Sequence, residues 1–308
     1  MLSAILGNMK IIVTHTAPDW DAIGSVWLLK KYLAGWQEAQ VEFVPAGQRS
    51  PKVDGIDITE GSPIVTIGGN EIIHVDTGLG PLDHHQIYDT SVSATSRTWD
   101  FVQQQLGDSG ESLTPEHGEA ISRIVKVIVE TDHFKEVFWK DAAADYQEFS
   151  LLGVLEGLKI YKPNEDDYYI SFGIESLNAL QHTFENRIWA EKEIKNGHEF
   201  RTATYGRGIG FETINDTVLK LAQKMGYEMV VRKDPRKGYV RIKVRPAADG
   251  QAGMDLTPVY EKLKAVDTKA TWYLHVSKKM LLNGTPKNPK MIPTTLSLVE
   301  IIKVLENV

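Results

Sequence analysis

The chain has 308 residues, 42% hydrophobic and 24% charged, with a formal net charge of -7, which is an ordinary globular composition at a length that leads one to expect about two domains. It has no cysteine, which excludes disulfides, thiol catalysis and thiolate zinc sites. No apolar run approaches the roughly 18 to 20 residues of a membrane span, and residues 1–10 lack the basic start and apolar stretch of a signal peptide, so a cytoplasmic protein away from membranes is expected.

Lys10-Ile11-Ile12-Val13-Thr14 is a short β-branched run that predicts a strand. Residues 15–21, interrupted by Pro18, read as a loop, and Ile23 to Leu33 carries apolar residues at helical spacing. Further strands are predicted at Val41–Val44, Ile64–Ile67 and Ile72–Val75, with helices at about 93–106 and 115–131. Strands alternating with helices imply an α/β fold with a mainly parallel sheet, which places ligands at the carboxyl ends of strands. His15 and Asp76 fall at two such ends. A long helix is predicted over 166–197, and then a smaller α+β region with strands near 228–232, 239–245 and 271–276 and helices near 256–264 and 295–306. The expected organisation is a metal-binding catalytic domain over 1–160, a helical connection over 161–197 and a basic substrate-binding domain over 198–308.

Four stretches bring together three histidines and five aspartates: His15-x-x-x-Asp19-x-Asp21, Asp76, Asp83-His84-His85 and Asp132. Imidazole nitrogen with carboxylate oxygen suits divalent ions such as Mn²⁺, with Co²⁺ or Mg²⁺ as substitutes. Asp19 and Asp21 sit two apart in a loop at a strand end, so with His15 they can point into one small volume; the competing reading is a turn or capping role. Gly24-Ser25 then opens a helix whose free amides can receive an anion. Asp76 faces the glycine turn Gly78-x-Gly80, where nothing crowds its oxygens and it can bridge two ions. Adjacent histidines point in different directions, so of His84 and His85 one can ligate while the other meets substrate, and a nearby Asp can orient an imidazole. Asp132, after an apolar-periodic helix, is the expected last ligand. His74 reads as a structural residue and is left out of the ligand set.

Taken together, these residues over about 10–135 resemble the DHH phosphoesterase superfamily, whose members include RecJ-type exonucleases, nanoRNA and nucleotide phosphatases and family II pyrophosphatases. Ser93-Ala94-Thr95 is similar to a small-residue stretch that follows the DHH motif in these proteins. The resemblance implies that His15, Asp19 and Asp76 hold one ion while Asp21, Asp76, His84 and Asp132 hold the other. It also implies that His85 contacts the scissile phosphate or leaving group and that Asp83 orients a histidine. Val75-Asp76-Thr77-Gly78 followed by Asp83-His84-His85-Gln86 is similar to the Myg-type exonuclease branch as well.

The second half departs from the nuclease pattern, lacking the Gly-Gly-Gly-His loop. Its nearest analogue is His275-Val276-Ser277-Lys278-Lys279, which weakly resembles a His-Ser-Gly-Gly stretch of Myg-type proteins and the basic motif of family II pyrophosphatases; a solvated turn explains it equally. Arg241, Lys243 and Arg245 alternate with apolar residues, so a strand would present three cations on one face, with Arg232, Lys233, Arg236 and Lys237 at the preceding turn. That face suits phosphate tracking, or an edge strand guarded against aggregation. Gly206-x-Gly208-x-Gly210 lacks the setting of a dinucleotide site and reads as a flexible loop. Residues 1–185 hold 12 Lys/Arg against 28 Asp/Glu and residues 186–308 hold 22 against 13. An acidic half can concentrate metal ions, and a basic half can hold a polyanion.

The expected activity is two-metal hydrolysis of phosphodiester or phosphomonoester bonds in a short single-stranded oligonucleotide or a small nucleotide. The alternatives are a pyrophosphatase-like hydrolase of small phosphates, and a catalytically silent nucleic-acid-binding or regulatory protein. The sequence leaves a homodimer open.

Overall fold

The computed structural model describes residues 9–248, 250, 253–285 and 287–308; residues 1–8, which the sequence reads as carrying no signal peptide, lie outside the described residues. The chain divides into two compact units, Met1–Glu185 and Asn186–Val308.

In the first unit β1 (Lys10–His15) leads to α1 (Trp20–Tyr32), then β2 (Gln40–Val44), β3 (Ile64–Ile67) and β4 (Asn70–His74). The helices follow: α2 (Ala94–Ser109), α3 (Pro115–Asp132), a short α4 (Asp145–Glu148), α5 (Leu151–Tyr161) and α6 (Asp166–Lys195). The strand order is β2-β1-β4-β3. Because β1 runs parallel to both β2 and β4, the carboxyl ends of β1 and β4 lie side by side, and the loops carrying the histidine and aspartate motifs leave from there. Both faces of β1 are buried: Ile12 faces the core shared with α1, α2 and α3, whereas Ile11 and Val13 pack with Val53 and Ile58. That explains the unbroken apolar run at 11–13.

The sequence predicts a mainly parallel sheet; this one is mixed, with β1 parallel to β2 and β4 and with β3 antiparallel to β4. Gly68 and Gly69, with φ of 57° and 87°, form a two-residue turn that folds β3 back antiparallel on β4, and paired positive φ is what such a tight hairpin turn demands.

The second unit is an α+β sheet structure. It contains β5 (His198–Thr202), β6 (Gly206–Glu212), α7 (Thr217–Lys224), β7 (Met229–Lys233), β8 (Val240–Val244), α8 (Thr257–Val266), β9 (Trp272–Leu274), β10 (Met280–Asn283) and α9 (Leu298–Glu306). The order is β5-β6-β7-β8-β10-β9, and only β6 and β7 pair in parallel. The glycine stretch at 206–210, which reads as a flexible loop, is strand β6. A Cβ at Gly208 would come within 2.4 Å of the Phe200 ring and one at Gly210 within 3.0 Å of Ile302, so the glycines admit neighbours against the sheet. Arg232 and Lys233, expected in a turn, lie in β7, and Arg232 is buried, donating to the Thr213 carbonyl at 3.0 Å. Helix α6 runs through the division between the units at 185/186.

Close packing of α1 on α2 and α3 depends on Gly24. A Cβ there would lie 2.6 Å from Thr95 Oγ1 and 2.8 Å from Ile128 Cδ1, and Thr95 Oγ1 cannot retreat because it donates to the Asp21 carbonyl at 2.7 Å. Gly24→Ala is expected to lower stability through overpacking of about 1–3 kcal/mol, which outweighs a helix-propensity gain of about 1 kcal/mol. Chemical denaturation checks this; an unchanged or raised midpoint would contradict it.

Candidate metal centre

Five local structures converge on one point. His15 ends β1, and its Nδ1 lies 2.9 Å from the Thr16 carbonyl, which fixes the tautomer with Nδ1–H donating and leaves Nε2 facing Asp76 Oδ2 at 3.2 Å. Asp19 caps α1: its Oδ1 accepts from the amides of Asp21 and Ala22 at 2.9 and 3.1 Å. It also stands 4.0 Å from His15 Nε2, so the capping reading and the ligand reading describe the same side chain.

Asp21 is buried, and both its oxygens are engaged at the start of α2. Oδ2 accepts from the Ala94 amide at 2.7 Å and Oδ1 from the Thr95 amide at 2.8 Å. The Ser93-Ala94-Thr95 stretch thereby acquires a physical explanation, since small side chains let two free helix amides reach a carboxylate, a favourable place for negative charge. Asp76 follows β4 and Val75, with φ of 53°, a left-handed conformation uncommon outside glycine and tolerated by Asp. Its two oxygens face different groups. Oδ2 meets His15, while Oδ1 lies 3.6 Å from His84 Nε2 and 3.8 Å from His85 Nδ1.

His84 Nε2 is surrounded by carboxylates: Asp21 Oδ2 at 3.5 Å, Asp76 Oδ1 at 3.6 Å and Asp132 Oδ2 at 3.5 Å. Asp76 Oδ1, His84 Nε2 and Asp132 Oδ2 are each shielded from solvent without a hydrogen-bond partner. Buried polar atoms are normally satisfied. Three unsatisfied donor atoms facing one another are the arrangement a divalent cation resolves. His15, Asp19 and Asp76 bring ligand atoms within 4.8 Å of one another, and the other oxygen of Asp76 belongs to the ring of Asp21, Asp76 and Asp132 around His84 Nε2. The residues present therefore fit a pair of ions.

His85 is set differently from His84. Its Nδ1 lies 2.7 Å from Asp83 Oδ1, its amide donates to the same oxygen at 3.1 Å, and its side chain is 56% exposed. Asp83 is fully buried and its other oxygen accepts from the Leu79 amide at 2.7 Å. His133, overlooked in the sequence, stands beside the centre: its ring meets that of His84 edge-on at 5.7 Å and its Nε2 is 3.7 Å from Asp132 Oδ2. The adjacency Asp132-His133 was the available signal. His74 is buried, and its Nε2 accepts from the Ser50 amide at 3.0 Å. Burial, then the nearby Arg49 charge, lowers its pKa to about 4, in keeping with a neutral structural residue.

The residues expected to bind substrate, Arg241, Arg245, His275, Ser277, Lys278 and Lys279, lie in the second unit, and several are locally engaged. Arg241 pairs with Asp216, which also pairs with Arg232. Arg245 falls just past β8 and its amide donates to the Glu228 carbonyl at 2.7 Å. His275 and Ser277 bond each other at 2.8 Å in the β9–β10 turn. Lys278 reaches Asp255 at 2.9 Å, and Lys279 donates to the Met254 carbonyl.

No protein-family model matches this chain, and no curated protein does. A solved structure described as the DHH domain of a member of the s1p family of ribosomal proteins is similar over 96% of this chain and 85% of that one, at 10% identity and a TM-score of 0.29. The neighbour is a DHH-domain protein.

Charge balance in the metal-free cluster follows from the same geometry. The facing Asp76 carboxylate raises His84 to about 9, against burial, with the Asp132 and Asp21 charges adding to it. Burial works to lower His15 but is overcome by the Asp76 hydrogen bond and the Asp19 charge, again giving about 9. Burial, then Asp76 and Asp132, raises Asp21 to about 8. At pH 7 the two imidazoles hold protons that a metal must displace. Mn²⁺ binding should thus release protons, and its affinity should rise with pH toward about 9; calorimetry in buffers of different ionisation enthalpy measures the release, and its absence would contradict this assignment. Because Asp76 faces both groups, Asp76→Ala should lose both ions, whereas Asp132→Ala should lose one, as read by elemental analysis.

Proposed function

We propose that this chain is a DHH-type, metal-dependent phosphoesterase that hydrolyses phosphodiester or phosphomonoester bonds in short single-stranded nucleic acid or small nucleotides. One observation carries the reading: the buried, unpartnered Asp76 Oδ1, His84 Nε2 and Asp132 Oδ2 facing one another, with a second histidine–aspartate group on the far oxygen of Asp76. Two divalent ions, Mn²⁺ above all, would supply there the Lewis acidity and the water of lowered pKa that phosphoryl transfer needs.

The protein's own groups account for the rest. Asp21, pinned by the Ala94 and Thr95 amides, and Asp76, held beyond β4, give a fixed carboxylate frame. His85 is the group free to act on the substrate. Asp83 accepts from its Nδ1–H and so orients the ring, leaving Nε2 to hydrogen-bond a phosphoryl oxygen or to give a proton to the leaving oxygen. Cations of the basic second unit, with 22 Lys/Arg against 13 Asp/Glu over 186–308, would draw in an anionic substrate. Among the described residues no helix is long and apolar enough to cross a membrane.

Hydrolysis of bis-p-nitrophenyl phosphate should appear with Mn²⁺ or Co²⁺ and vanish in EDTA; full activity in chelator would sink the proposal. His85→Ala should retain both ions while losing about 10²- to 10⁴-fold in rate. If elemental analysis instead finds an ion missing from His85→Ala and both present in His84→Ala, the two histidines have exchanged roles.

A further inference from the structure

A cavity of about 420 Å³ opens directly in front of the carboxylates. One wall is Asp19, Asp21, Thr131 and Asp132; the other comes from the segment after α3 and from α5, chiefly Phe134, Glu136 and Lys159. Its volume lies within the range of roughly 300–1,000 Å³ typical of small-molecule sites, enough for one nucleotide and too small for a stretch of several. Two features of the second wall, the exposed Phe134 ring and an unpartnered Glu136 oxygen, have no partner among the described residues. Phe134 closes the end of α3 in the left-handed conformation (φ of 55°), its amide donating to the Thr131 carbonyl at 3.1 Å, and its ring is 73% exposed at the mouth of the cavity. Glu136 Oε2 is shielded from solvent and has no hydrogen-bond partner, an acceptor awaiting a donor. Lys159 is paired with Glu156 at 3.2 Å, so the two cancel and Glu136 remains as the uncompensated acceptor of that wall.

We propose that this cavity receives the nucleoside of a single nucleotide whose phosphate lies at the metal centre, with Phe134 stacking on the base and Glu136 accepting a hydrogen bond from a ribose hydroxyl or a base N–H. The inference rests on the phosphoesterase reading above and gives it a substrate class: the scissile phosphate belongs to a terminal nucleotide or a mononucleotide. Aromatic stacking tolerates any base, because every base has a π-face. The wall accepts hydrogen bonds and its one lysine is already paired with a carboxylate, so it favours the donor-bearing nucleoside over a second phosphate. Inorganic pyrophosphate lacks the stacking surface and is disfavoured.

Equilibrium binding of adenosine 5′-monophosphate and of inorganic phosphate to the Mn²⁺-loaded protein tests this without turnover. Adenosine 5′-monophosphate should bind at least about tenfold tighter than phosphate. Phe134→Ala should weaken nucleotide binding by about 5- to 150-fold, the range of one base–aromatic stack, and leave phosphate binding and metal content unchanged. Glu136→Ala separates a ligand-binding role from mere charge. Loss of a bystander anion would tighten both ligands equally, whereas loss of an acceptor lowers the ratio of nucleotide to phosphate affinity. Equal affinity for the two ligands in wild type, or an unchanged ratio in both variants, would overturn the proposal. Failure of the broader reading shows separately, as no metal-dependent hydrolysis of bis-p-nitrophenyl phosphate by wild type.

Discussion

The centre is governed by the crowding of negative charge out of water. Asp21 and Asp76 are almost wholly buried, and with Asp132 they stand about one side chain's reach from a single imidazole nitrogen. Uncompensated buried charge is expensive, so the metal-free cluster retains protons, with Asp21 and Asp132 pushed upward chiefly by burial. What makes the cluster tolerable is the set of partners that the fold supplies: helix amides for Asp21 and His15 for one oxygen of Asp76, while the other oxygen only faces His84. A cation would replace several of these compromises at once.

The same demand shapes the surrounding backbone. Ala17, Asp76 and Leu79 all take positive φ without being glycine, and Gly78 between the last two has φ of 81°. Such conformations persist only where neighbours hold them. Arg49 donates to the Gly78 carbonyl at 2.9 Å, Thr77 to the Gln48 carbonyl at 2.8 Å, and Arg97 to the Pro81 carbonyl at 2.6 Å. The loop that carries Asp76 and leads to His84 is therefore braced from two sides. Preorganisation of this kind spares the site a reorganisation cost at the moment of binding.

Much of the site was legible because its chemistry is local in sequence. Asp19 and Asp21 are two residues apart, and Asp83, His84 and His85 are consecutive, so it follows from adjacency alone that one imidazole turns inward and the other outward. The strands at 64–67 and the helices after residue 93 were legible from periodicity. The glycine-bearing strand β6 was not: Gly206, Gly208 and Gly210 carry the local signal of a loop, and only the Phe200 ring and the side chains of α9 explain why small residues were needed there. Arg232 likewise reads as a surface cation until Asp216 and the Thr213 carbonyl are seen to bury it.

By itself, the sequence determined the donor chemistry: three histidines, five aspartates and no thiol, arranged at strand and helix ends, restrict the site to oxygen and nitrogen ligands. It also determined the acidic and basic halves. Only the tertiary structure decided which atoms are left without partners, since the distance from Asp21 to Ala94 and the convergence of Asp132 on His84 join residues tens of positions apart. It alone decided the direction of β3, through the backbone of Gly68-Gly69, and the cavity beside the ligands. Chain composition specifies what a side chain can donate or accept, but whether that capacity is satisfied depends on neighbours brought together by packing.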